Sequence, residues 1–236
     1  MNSDEWLNLP RDRFMSRWYS DEYQANAYGS SAGRVQRLMH ASLERGYSSA
    51  MHFGSVLELG GNVGEHIPFV RHDFDKYTLT DLHDNLDPVR RDQLAQAKVE
   101  FQVADACDLP FGNETFDRVL NTCLLHHVVD PEKALEEMRR VLGPDGVCDI
   151  FLSCDPGLLF RLGRQLGPAR QARKAGLAKV KRLVDARDHI HHVGGIRRLI
   201  QHVFRRDEIS ELSFPIPFMT WNSSLWIAFR VQRSGS

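Results

Sequence analysis

The chain has 236 residues, 42% hydrophobic, 26% charged and 9% aromatic, with 30 basic against 31 acidic side chains. That apolar content at a net charge of −1 excludes a disordered chain. No run of about 18 apolar residues exists, which excludes a helical membrane span. The segment Met1–Trp6 lacks a basic region followed by an apolar one, so no secretory signal is expected and the chain reads as cytoplasmic. Cys107, Cys123, Cys148 and Cys154 match neither a zinc ribbon nor a redox pair in their spacing. They read as small reduced core residues, and no metal site is expected.

In chain order, residues 1–50 read as a helical lid. Phe14, Trp18, Tyr19 and Tyr23 recur every three to four positions, as do Val35, Leu38, Met39 and Leu43, and Gly46 is the expected stop. The aromatic group, with Tyr28, suits core packing or a cover over a ligand. Strands then alternate with helices. The strand runs are 55–59, 76–81, 99–103, 116–121 and 147–153. Helices are expected from the glycine-rich turn to about Arg71, over 86–97, and from Pro131 to Leu142, the last with Asp130 as N-cap and Gly143 as stop. Such alternation implies right-handed βαβ units and a mainly parallel sheet.

From Pro156 to Val184 there are eight basic residues and no acidic one, leaving about −9 on the rest of the chain. This block reads as an inserted, solvated helical segment over 155–192. A helix over 193–204 follows, then two strand runs, 207–214 and 223–232, with no helix between them, so the last strand should be antiparallel. The expectation is one α/β domain of Rossmann-like form, with a seven-stranded, mainly parallel sheet whose last strand is antiparallel. Its parts are an N-terminal helical lid (1–50), a ligand-binding core (54–154), the basic insertion (155–192) and a C-terminal helix with a strand hairpin (193–236).

In an open parallel sheet, ligands bind beyond the carboxyl ends of the strands, at the topological switch point. The first strand ends in Glu58-Leu59-Gly60-Gly61-Asn62-Val63-Gly64, a turn that a ligand can approach closely and that a following helix would face with its amides. The second ends in Asp81, followed by Leu82, and a carboxylate there can accept both hydrogen bonds of a ribose diol. The third leads into Ala104-Asp105-Ala106, where a carboxylate and a backbone amide can read adenine. The fourth ends in Asn121, followed by Thr122-Cys123-Leu124-Leu125-His126-His127. A dinucleotide fold competes, but G-x-G-x-x-G fails at Asn62.

At these residues the sequence resembles the class I S-adenosylmethionine-dependent methyltransferases. The matching pieces are VLELGGNVGEH (56–66), the strand-terminal Asp81, ADACDLPF (104–111) and FDRVLNTCLLHHVVDPEKALEEMRRVLGPDGV (116–147). The resemblance implies S-adenosylmethionine as cofactor. It gives Glu58, Gly60, Gly61, Asn62 and Gly64 to the methionine-side turn, Asp81 and Leu82 to the ribose, Asp105 and Ala106 to adenine, and Asn121 to the floor below the methionine. Asn62 departs from the family, which has glycine there; Asn is the side chain that best tolerates positive φ.

A histidine suits removal of a proton from an acceptor. His126 and His127 are the candidate catalytic residues, with His126 preferred because His127 lies closer to Asp130. A second group, Asp188-His189-Ile190-His191-His192, precedes the late helix. The reading is methyl transfer to a small metabolite or sugar-like acceptor at oxygen or nitrogen, an anionic one if the basic insertion steers it. Two alternatives stay open: a nucleic-acid-directed methyltransferase or binding module using the insertion, and a non-catalytic cofactor-binding homologue. The first is disfavoured because only Phe160 interleaves the charges. A membrane-surface role for the basic helix ranks lower, its apolar face being short. Oligomeric state is not legible.

Overall fold

A computed structural model describes residues 3–18 and 30–235; Tyr19, Tyr23 and Tyr28 lie outside them. Seven strands, β1 (His52–Leu59), β2 (Asp73–Asp81), β3 (Val99–Val103), β4 (Phe116–Thr122), β5 (Leu142–Ser153), β6 (Glu208–Phe214) and β7 (Trp226–Gln232), form one sheet in the order β3-β2-β1-β4-β5-β7-β6. The pairings from β3 through β5 are parallel, and β7 lies antiparallel between β5 and β6. This is the expected sheet. Its order reverses between β1 and β4, which sets the switch point there.

The helices are α1 (Ser3–Leu7), α2 (Arg11–Arg17), α3 (Ser30–Leu43), α4 (Pro88–Gln96), α5 (Pro131–Val141), α6 (Leu158–Leu166), α7 (Pro168–Lys174), α8 (Ala178–Asp188) and α9 (Val193–Val203). Helix α5 starts as its sequence demands. The Asp130 carboxylate accepts the Lys133 amide at 3.0 Å, and Pro131 occupies the first turn, where its missing N–H costs nothing. Its face of Ala134, Leu135, Met138 and Val141 is buried with α9 residues Val193, Ile196, Ile200 and Val203 on one side of the sheet. On the other side Met39 and Leu43 of α3 and Leu94 of α4 close a second core, while Val35 and Leu38 of the same expected stripe are exposed. A third, small core joins Trp6, Phe14 and Trp18 to Leu177, Val180 and Val184. The N-terminal helices therefore pack on the basic insertion.

Two local expectations need correction. No α-helix follows the glycine turn: residues 62–66 are turns, and only Ile67–Phe69 forms a single 3-10 turn. Gly64 holds φ +77, outside the helical region, and Pro68 lacks the N–H that a longer helix would need. Strand β5 also starts five residues early. Leu142 is already extended and pairs with Phe116, so α5 ends at Val141 and Gly143 lies inside the strand.

Between α3 and the sheet lies a buried charge network. The fully buried Arg118 donates to Glu44 Oε1 at 2.6 Å and to Asp149 Oδ2 at 2.9 Å, and its Nη1 lies 2.6 Å from His72 Nε2. Arg230 donates to the other Asp149 oxygen at 2.8 Å, and the Tyr47 hydroxyl donates to Oδ2 at 2.6 Å. His66, from the segment after the glycine turn, meets Glu44 Oε1 at 3.0 Å. Burial opposes the charged carboxylate, but His66 and Arg118 prevail and hold Glu44 at about 2. The network ties α3, β4, β5 and β7 to the segment that carries the turn.

Candidate active site

Register brings the four expected strand ends together. Val103 pairs with Asp81, Thr80 with Leu59, and Leu59 with Asn121. The glycine turn, Asp81, the 104–106 segment and Asn121 therefore stand side by side along one edge, around the switch point.

The turn is tightly built. Gly60 and Gly64 have φ of +64 and +77, and Asn62 takes +48, the conformation its side chain tolerates. A Cβ at Gly61 would collide with Leu79 and come within 3.0 Å of Glu58. Asp81 supports the turn directly, its carboxylate accepting the Asn62 amide at 3.0 Å and the His83 amide at 3.3 Å. Arg90, which sequence reasoning missed, donates to the Val63 and Gly64 carbonyls at 2.7 and 2.8 Å. Nothing in the spacing marks it, because it reaches back across 26 residues from α4. The Asn62 side chain donates to Glu65 and accepts from Asn85.

Beneath the turn Glu58 is fully buried, and burial raises its pKa. Its Oε2 accepts the Tyr77 hydroxyl at 2.7 Å, while Oε1 has no partner. Asn121 is also fully buried; its amide nitrogen meets Met138 Sδ at 3.6 Å, and its Oδ1 is without a partner. Orphaned buried acceptors of this kind call for an explanation. At the other end, Asp105 is exposed and accepts the Cys107 amide at 2.8 Å, and Ala106 is buried behind it. Leu82 and Val103 leave apolar side chains exposed between Asp81 and Asp105. A cavity of about 410 Å³ lies at the opposite end of the sheet, lined by Glu136, Arg140, His202, Arg205 and Arg233, and has no part in this site.

The two histidine groups of the sequence, more than 60 residues apart, meet beyond the ends of β4 and β5. His126 stacks on His189 with centroids 5.0 Å apart, and His127 meets His189 edge-on at 4.8 Å. His126 is 0% exposed, with Nδ1 2.7 Å from the His191 carbonyl and Nε2 3.2 Å from Ser153 Oγ. The carbonyl can only accept, so Nδ1 carries the proton and Nε2 accepts from the hydroxyl. Burial, with His189 alongside, lowers its pKa to about 3. An imidazole so engaged is a poor proton acceptor at neutral pH, contrary to the preference given to it above.

His127 pairs with Asp188 at 3.0 Å. Burial opposes its charge, but Asp188 and Cys123 outweigh that and raise it to about 10, so it carries a proton at neutral pH. His189 lies 3.1 Å from Asp155 and its side chain is 20% exposed. His191 Nε2 reaches the Val129 carbonyl at 3.3 Å, and His192 caps α9 by accepting the Gly195 amide at 3.2 Å. All four cysteines are free, and among the described residues no cluster could hold a metal ion.

Comparison with known proteins agrees with this geometry. A family described as "Methyltransferase domain" matches residues 57–150. A demethylmenaquinone methyltransferase of Clavibacter sepedonicus is 42% identical over 80 residues, 33% of this chain and 32% of that protein. A norajmaline N-methyltransferase of Rauvolfia serpentina is 36% identical over 98 residues, 41% of this chain and 31% of that one. This chain thus spans about a third of the length of either. Among solved structures, a Haemonchus contortus phosphoethanolamine N-methyltransferase 2 with bound S-adenosyl-L-methionine superposes with a TM-score of 0.59 at 16% identity, over 99% of this chain and 60% of the other.

Proposed function

We propose that residues 57–150 form a methyltransferase domain of the class I kind and that the chain moves a methyl group from S-adenosylmethionine to a small-molecule acceptor. The observation that carries this reading is the register that sets the glycine turn, Asp81, Asp105 and Asn121 on four neighbouring strand ends. These residues fit the cofactor. Each Asp81 oxygen has a lone pair left for a ribose diol after serving one backbone amide. Leu82 and Val103 offer apolar walls for a purine, and Asn121 Oδ1 is an acceptor awaiting a donor. The bound cofactor supplies an electrophilic methyl group on a sulfonium.

The protein's own task is alignment, since an in-line displacement gains most from holding the two reacting atoms in place. An acceptor that bears a proton must also lose it. We assign that proton to His189 rather than His126: its Nδ1 lies 3.1 Å from an Asp155 carboxylate oxygen, which favours a proton on that nitrogen and Nε2 as the acceptor, although the pair lacks hydrogen-bond geometry here. His127, held charged by Asp188, supplies a positive charge beside it. One relative's name gives a nitrogen methylation, and the reading takes in an acceptor atom, whether nitrogen, oxygen or carbon, that ionises. An anionic acceptor suits both His127 and the basic insertion.

Calorimetry with S-adenosylmethionine, and formation of S-adenosylhomocysteine with a panel of quinol, amine and phenol acceptors, test the proposal. Micromolar cofactor binding is expected, and His189→Ala should lower kcat by about 10²–10⁴ with cofactor affinity unchanged. Binding of NAD instead of the cofactor would end the methyltransferase reading. Unchanged kcat in His189→Ala would end only the assignment of the base.

A further inference from the structure

Helix α6 presents two opposite faces. Phe160 packs on the main core, and Arg164 on the same side pairs with Asp155 at 3.0 Å and with Asp185. Four- and eight-residue spacing puts Leu158, Leu162 and Leu166 together on the other face, where they are 61%, 51% and 77% exposed. The stripe has neighbours of its own kind. Helix α6 packs against the 221–223 turn, and the Leu158 amide donates to Asn222 Oδ1 at 3.0 Å. The loop entering that turn exposes Ile216 and, at 89%, Phe218.

The helices that follow α6 carry a run of cations. Arg161, Arg170, Lys174, Lys179 and Arg182 are exposed and form no ion pair among the described residues. Among the described residues Arg173 bonds only to Gln165 and to the Ala169 carbonyl. No acidic residue lies between Pro156 and Val184 to offset them. Isolated exposed leucines need no account, but a leucine stripe on a helix that packs against the turn after an exposed phenylalanine, and that is followed by a run of unpaired cations, is a different matter, even with Asp4 and Glu5 of α1 on the neighbouring α8. Apolar side chains flanked by arginine and lysine match the boundary between acyl chains and anionic headgroups. No helix among the described residues is long and apolar enough to cross a membrane, so contact would be lateral.

We propose that α6, the 215–220 loop and the cations of α7 and α8 form a surface that docks on anionic phospholipid bilayers. The leucines and Phe218 enter the headgroup boundary while the cations meet lipid phosphates. A nine-residue helix and one loop make a weak, reversible attachment, so both elements are needed. Helix α6 leaves the sheet just after the end of β5, beside the histidine cluster. Under the functional reading above, docking would bring the acceptor site to a membrane-dissolved acceptor. The surface itself does not depend on that reading.

The test is flotation of the full chain with vesicles of phosphatidylglycerol and phosphatidylcholine, against vesicles of phosphatidylcholine alone, at low and high salt. The chain should float with the anionic vesicles only, and raised salt should release it. The double variant Leu162→Glu/Leu166→Glu should bind at least tenfold less, as should Phe218→Ser. Both keep the wild-type melting temperature and cofactor affinity, since they change only exposed side chains. Wild-type protein that stays in solution with anionic vesicles at low salt overturns the proposal. So does undiminished binding of both variants, which would leave only nonspecific charge adsorption. A dimer without vesicles that Leu162→Glu/Leu166→Glu dissociates would assign the face to a second copy instead. Cofactor calorimetry on the same samples reports separately on the functional reading.

Discussion

Residues 52–154 and the cap formed by α1, α2, α7 and α8 hold their shapes by different means. In the sheet, Val56, Leu57, Leu59, Val119, Leu120 and Ile150 are fully buried, and a buried cation locks helix to strand. The cap relies on six buried side chains from two distant segments, and on partly exposed pairs such as Lys181–Asp185, a type worth about 0–1 kcal/mol. Every expected cofactor contact stands on the rigid part. The histidine cluster draws His126, His127 and Asp155 from strand ends but His189 and Asp188 from the cap's exit. Under the proposed function, the residues assigned to the acceptor thus draw on the cap, while those assigned to the cofactor stand on the sheet.

The largest expected effect tests the locked half. Arg118→Met would leave Glu44 and Asp149 buried with their main cation gone, a loss of about 3–5 kcal/mol. For a chain of this size that lowers Tm by on the order of 10 °C, read by a thermal melt. A change of only a degree or two would show that the network adds little to the sheet. Next in size, Asp81→Ala removes the carboxylate proposed to hold a ribose, with a net loss of about 1.5–3 kcal/mol, the size of one charge-assisted hydrogen bond. Cofactor affinity should fall roughly 10–100-fold by calorimetry, while loss of the Asn62 amide contact loosens the turn.

Acid sharpens the comparison further. His40, buried in α3 with its Nδ1 3.1 Å from that of His66, and His126 are both lowered to about 3, chiefly by burial. Below their unfolded value of 6.5 the unfolded chain takes up protons that the folded chain refuses, so stability present above 6.5 is lost as pH falls toward 3. Each site contributes about 1.4 kcal/mol per pH unit within that window. Urea denaturation between pH 6.5 and 5 should show this slope, and His126→Gln should remove one site's share of it. His127 acts in the opposite sense: its folded value is raised to about 10, so its contribution is complete below 6.5 and lost as pH climbs through 10. The smallest expected change in global stability comes from Trp6→Ala. It should speed amide exchange in α1, α2 and α8 yet lower the global unfolding free energy by less than about 1 kcal/mol. A global loss near 3–5 kcal/mol, the usual figure for a core Trp, would show that cap and sheet unfold as one.

The sheet was legible because its strands are apolar runs with turn signals, and because Asp130 and Pro131 announce α5 chemically. The strand-end residues followed from the same periodicity. Tertiary demands on particular residues were not legible. The expected helix after the glycine turn fails because His66 is drawn into the Glu44–Arg118 network and Gly64 adopts a left-handed backbone. Only the placement of Arg118 and Asp149 within apolar strands hinted at that network. The union of His126 with His189 spans 63 positions and follows from how the cap returns to the sheet, which no local pattern encodes. The leucines of α6 were visible, but their outward face depends on Phe160 and Arg164 turning inward.

The place of β7 bears on how the chain comes to be folded during its synthesis. It comes last in chain order among the seven strands, yet it sits inside the sheet, covering the open edge of β5 and bringing Arg230 to Asp149. Until residues 226–232 leave the ribosome, β5 presents an unpaired edge rich in Ile150, Phe151 and Leu152, and Asp149 has only part of its counter-charge. A nascent chain halted before that point would carry a sticky, incompletely neutralised seam, the kind of surface that chaperones hold. The edge of β5 and the second oxygen of Asp149 are thus satisfied only when the seventh strand arrives.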